Sequence, residues 1–94
     1  MENKEEKVAN KNEIKIKLSK VYYLDGKPVE ELSMRVPPLV KDALFAAKVA
    51  GPNATQEDKD VAMVSNLCNV PLDFMENLDY KDYRVLVNAM KPFL

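Results

Sequence analysis

Val21-Tyr22-Tyr23-Leu24-Asp25-Gly26-Lys27-Pro28-Val29 is the stretch that decides the fold. Asp-Gly between β-branched and aromatic arms is a hairpin signal, because both residue types tolerate the positive φ that tight reversals require. On the N-terminal side Ile14, Ile16 and Leu18 alternate with Lys15, Lys17 and Ser19; on the C-terminal side Leu32, Met34 and Val36 alternate with Glu31, Ser33 and Arg35. Period-two alternation marks half-buried strands. A two-residue loop at Asp25-Gly26 would set Leu18 against Ser33 and Lys17 against Met34, apolar against polar. A shift by one residue pairs Leu18 with Leu32, Ile16 with Met34 and Ile14 with Val36. The expected turn is therefore a three-residue loop, Leu24-Asp25-Gly26, with Gly26 as a left-handed bulge residue. That register also sets Lys20 opposite Glu30 and Lys15 opposite Arg35, which would turn Arg35 toward an acidic partner.

Outward from the hairpin, Pro37-Pro38 ends the ladder, since proline cannot donate to it. Pro38 suits the first position of a helix through Ala50, with Leu39, Val40, Ala43, Leu44, Ala46, Ala47 and Ala50 apolar, closed by Gly51-Pro52. Thr55 caps a second helix from about Gln56 to Cys68, whose stripe is Val61, Val64, Leu67 and Cys68. Pro71 opens a helical turn through Asn77, with Leu72, Met75 and Leu78 inward. Asp79 caps a last helix from Tyr80 to about Lys91, with Tyr83, Leu86, Val87 and Met90 inward. The expected fold class is α+β: an N-terminal β-hairpin followed by three short α-helices and a helical turn. Residues 1–12 are nearly all charged or amide and read as a flexible N-terminal tail; residues 13–94 read as one domain.

Composition narrows the function classes. The 94 residues leave room for one domain, and 47% apolar with 31% charged residues is ordinary globular usage. A formal charge of -1 provides no field to gather phosphate backbones or anionic lipid, so neither nucleic acid nor membrane is an expected partner. No apolar run approaches the ~20 residues that cross a bilayer, and Met1-Glu2-Asn3-Lys4-Glu5-Glu6 lacks the apolar core of a signal peptide; the chain reads as cytoplasmic. Cys68 is the single cysteine, which excludes an internal disulfide and suits a small core residue. There is no histidine, and two glycines cannot build a phosphate cradle. The adjacent carboxylates Glu5-Glu6, Glu30-Glu31 and Glu57-Asp58 most simply face solvent. No enzyme, cofactor or metal is expected.

The order and spacing of several weak features then carry a resemblance over Leu18–Leu94. These are Asp25-Gly26-Lys27, Val29, Leu32 and Arg35 before a proline, then Asp42 and Leu44, Pro71, Leu78, Asp82-Tyr83, Leu86 and the terminal Phe93-Leu94. The pattern resembles the tail assembly chaperone family of contractile-tailed bacteriophages, common in prophages. It departs from that family at Val36-Pro37-Pro38, where relatives often carry an acidic residue and then Pro-Thr, so a threonine cap is missing. The resemblance implies a non-enzymatic factor in the cytoplasm of the bacterial host that binds the phage tape measure protein. It would keep that protein soluble until tail tube protein polymerises around it, and be absent from the mature virion. In many relatives a ribosomal frameshift makes a longer second product.

Leu39, Phe45, Tyr83, Val87 and Phe93 are the candidate partner-binding residues, against the plainer reading of each as core. Arg35, Asp42 and Asp82, all at element junctions, are read as a buried polar junction tying hairpin to helices. Two other function classes compete. A helix-turn-helix regulator would use helix two, Asn69-Val70-Pro71 and the next helix, but Leu72-Asp73-Phe74-Met75-Glu76-Asn77 is acidic, without Arg or Lys for phosphate or guanine. A stand-alone oligomerisation module would pair the open edges of the hairpin, which also makes self-association an expectation.

Overall fold

The computed structural model describes residues 12–94. An antiparallel two-stranded hairpin, β1 (Glu13–Leu24) and β2 (Lys27–Arg35), is followed by α1 (Val40–Ala50), α2 (Gln56–Cys68), α3 (Leu72–Glu76) and α4 (Tyr80–Met90), then a 3-10 turn at Lys91–Phe93. The fold is α+β, with four α-helices among the described residues; the expected helical turn after Pro71 is a five-residue helix. The expected tail lies outside the described residues except for Asn12, whose carbonyl accepts from the Val36 N–H at 2.8 Å and extends the ladder past Glu13.

The three-residue loop is corrected. Leu24 pairs with Lys27, so Asp25-Gly26 is a two-residue turn, and both of its residues hold positive φ, 54° and 79°. The twist of such a turn matches that of the strands. Farther from the tip the partners are Lys17 with Glu31, Ile16 with Leu32, Ile14 with Met34 and Glu13 with Arg35. Between the two registers, Leu18 to Val21 stand against Glu30 alone. This irregularity reconciles the tight turn with the apolar faces. Three extra residues in β1 are an odd number, so the inward face of β2 passes from Val29 near the tip to Leu32 and Met34, while β1 keeps Ile14, Ile16, Leu18, Tyr22 and Leu24 inward. The expected Lys15–Arg35 and Lys20–Glu30 pairs do not form: Lys15 lies 3.9 Å from Glu31, and Lys20 lies 3.2 Å from Asp79.

Helix α2 is the hub. It packs on β2, α1, α3 and α4, while α4 also packs on β1. The core joins Leu18, Leu32 and Met34 of the hairpin to Val64 and Leu67 of α2, Phe74 and Met75 of α3, and Leu86 and Met90 of α4. Local chemistry sets the helix ends. Thr55 and Asp58 form a reciprocal capping box, the Asp58 N–H donating to Thr55 Oγ1 at 3.1 Å and the Thr55 N–H to Asp58 Oδ2 at 3.0 Å. Asn69, in the left-handed region, closes α2 as asparagine can. Helix α1 starts two residues after Pro38, at Val40, with no side-chain cap from Leu39; Asp42 supplies only the reciprocal half of a capping box, its Oδ2 accepting from the Leu39 N–H at 2.7 Å.

Candidate functional site

The site is built on α1, whose surface is inside out. Every residue of this helix except Lys41, Asp42 and Lys48 is apolar, yet its buried residues are Asp42 and Ala46 alone, and none of its large side chains belongs to the core. A helix repeats every 3.6 residues, so Asp42, Ala46 and Ala50 form the narrow stripe turned to α2, where alanines permit close approach. Val40 and Leu44 fall on the opposite face, 78% and 65% exposed; Phe45 and Val49 share a flank, with Phe45 half exposed. Leu39 extends the patch at the N-cap. An amphipathic helix of an isolated domain would be laid the other way round.

Two polar clusters hold α1 and the helices in place. In the first, the Asp42 carboxylate accepts from Arg35, from the Leu39 N–H and from Asn66 Nδ2, the last at 2.8 Å, linking β2, α1 and α2. Pairing with Arg35 holds the Asp42 carboxyl below the usual carboxylate range, against the opposing effect of burial, and raises the guanidinium in turn. In the second, the Asp82 carboxylate accepts from the Ser19 N–H at 3.0 Å, Ser19 Oγ at 2.8 Å and Tyr22 Oη at 2.6 Å. The irregular segment of β1 thus receives from α4 the acceptor that the ladder withdraws. Burial pushes the Asp82 carboxyl up, but the hydrogen bonds from Tyr22 and Ser19 outweigh it and hold the group low. Tyr22 Oη in turn accepts from the Asp79 N–H at 3.1 Å, and Lys20 stands over its ring.

The sequence grouped Arg35, Asp42 and Asp82 into one junction; the structure separates Asp82 from the other two. Ser19, Tyr22 and Asn66, which complete the two clusters, were not singled out, since nothing local marks a serine or an asparagine as the partner of a carboxylate far along the chain. Of the candidate partner-binding residues, Leu39, Phe45 and Phe93 are exposed, whereas Tyr83 and Val87 belong to the core. Tyr83 and Val87 therefore offer no free surface of their own, because α4 must bury its stripe to cover the sheet. Phe93 sits in the 3-10 turn after α4, the helix on which that turn chiefly packs. Val40, Leu44 and Val49 were missed. Val40 and Leu44 stand in the sequence only among the apolar residues of the helix, and the signal that turns them outward is Asp42, on the opposite face.

Other chemistry has little footing among the described residues. No group of three metal-ligating side chains occurs, and no helix is long and apolar enough to cross a membrane. Cys68 is buried, which pushes its thiol up to about 12, so it is packing rather than a nucleophile. Helix α3, the reading helix of the helix-turn-helix alternative, is five residues long, buries Phe74 and Met75 and presents Asp73 and Glu76, which repel a phosphate backbone.

Comparison with known proteins agrees with the pattern found along the chain. No curated protein and no solved structure gives a match. Residues 15–94 match the model of the family described as phage tail assembly chaperone proteins, E, or 41 or 14, and the chain belongs to that family.

Proposed function

We propose that this chain binds the phage tape measure protein in the cytoplasm of the bacterial host, without catalysis, and keeps it soluble until tail tube protein polymerises around it. The observation that carries the reading is the outward apolar face of α1, with Val40, Leu44, Phe45 and Val49 exposed and outside the core cluster. Contiguous apolar surface on a soluble protein marks an interaction site. A long helical protein presents apolar stripes of its own, and helix-against-helix packing covers both surfaces at once. Lys41 and Lys48 beside the patch keep it soluble when it is empty.

Co-expression of the tape measure protein with this chain tests the proposal. The tape measure protein should become soluble and co-purify with the wild type, and Phe45→Glu with Leu44→Glu should abolish both effects. If it stays insoluble with the wild type while light scattering finds this chain self-associated through the same face, the reading falls and an oligomerisation module replaces it.

A further inference from the structure

Helix α1 exposes charge as well as apolar surface, and the two are interleaved. At 3.6 residues per turn, Val40, Ala43, Leu44 and Ala47 fall on one side of its exposed surface, and Phe45 and Val49 on the other. Lys41 and Lys48 stand between these two sides, two turns apart and so one above the other. They are the only charges the helix exposes, since Asp42 is buried, and neither makes an ion pair among the described residues.

Their positions are not those of ordinary surface lysines. Lys48 lies in the last turn, where the helix dipole favours a cation, but Lys41 lies in the first turn, where it opposes one. Both sit within the apolar face, so whatever covers Leu44 and Phe45 also covers the lysine stems and must meet their charge. This selects among occupants. The α1 helix of a second copy would set Lys41 and Lys48 against their own equivalents, and like charges facing each other across an apolar contact repel. Anionic lipid is drawn by clusters of roughly four or more cations, and Lys41 and Lys48 are a single pair.

We infer that α1 receives an amphipathic helix of the tape measure protein whose apolar stripe is interrupted by carboxylates about two turns apart, one for Lys41 and one for Lys48. The inference rests on the tape measure reading above and adds to it the chemistry of the bound segment. The partner helix runs along α1. Its apolar groups cover Leu44 and Phe45, and its carboxylates meet the two ammonium groups, which fixes the register of one helix on the other.

The test titrates overlapping peptides of about twenty residues from the tape measure protein of the same phage against the full chain, at low and high salt, with the melting temperature of each variant in parallel. The tightest peptide should carry acidic residues about seven positions apart within an apolar stripe and bind more weakly at high salt. Lys41→Glu with Lys48→Glu should weaken it about tenfold. The same peptide with its carboxylates changed to lysine should bind the double variant better than the wild type, which a merely structural role would not produce. Lys41→Glu alone should melt no lower than the wild type, because an anion suits the first turn. Equal binding of the acidic and charge-reversed peptides to the wild type would overturn the inference and leave the tape measure reading standing, as would co-purification of the whole tape measure protein with no peptide bound. So would binding of anionic vesicles, or of a second copy, that the charge reversal abolishes while peptide binding is unchanged. Failure of the wild type to hold the tape measure protein in any form overturns both.

Discussion

Asp25 and Gly26 both sit in the left-handed region, and space is not what restricts them: a Cβ built on Gly26 meets nothing within 4 Å. The restriction is conformational, so Gly26→Ala should cost about 1 kcal/mol in urea unfolding without changing the fold. The two buried aspartates act through charge instead. Both carboxyls are held below their ordinary value in the folded chain, so their stabilisation is fully present above the unfolded value near pH 4 and is lost as pH falls through the folded values. Melting temperature should therefore drop steeply below about pH 4. Asp82→Asn should lower stability at pH 7 by about 1–3 kcal/mol and make the acid limb shallower; an unchanged acid limb would place the titrating groups elsewhere.

At the scale of elements, β1 and α1 are where local rules and tertiary packing part. The irregular segment of β1 exists because a two-residue turn and a common apolar face require different registers, and Asp82 then accepts from the Ser19 N–H that the ladder leaves over. Helix α1 carries a core helix's composition on a surface helix's position. Phe45→Glu should consequently change the unfolding free energy by no more than about 0.5 kcal/mol, as for other exposed positions, while the proposed binding of the tape measure protein is lost. A large loss of stability would mean that Phe45 packs within the domain.

Across the whole molecule, α2 touches β2 and every other helix, whereas α1 rests chiefly on α2 and on the Asp42 cluster. Local opening of α1 exposes little buried apolar surface, so its amides should exchange with solvent well before those of α2 and α4, and binding of the partner should slow α1 selectively. Equal protection of all three helices in the free protein would show α1 to be part of the same cooperative unit. The helices of this assembly were largely legible along the chain: Thr55 and the acidic first turn mark the start of α2, and the stripe Tyr83, Leu86, Val87 and Met90 of α4 is buried. The candidate site was less legible. Apolar spacing says that a surface is to be covered, and Leu44 and Leu86 look alike in that respect although one faces solvent and the other the core.

By itself the sequence determined the order of elements, the hairpin at Asp25-Gly26, the ends of α2 and the family, because caps, turn residues and hydrophobic period act over a few neighbouring residues. Tertiary structure alone decided the register of the hairpin, the separation of Asp82 from Arg35 and Asp42, and the outward turn of α1. Each depends on residues remote in sequence: Asp82 for Ser19, Asn66 for Asp42, and for α1 the packing of its Asp42 and Ala46 stripe on α2, which leaves Val40 and Leu44 exposed.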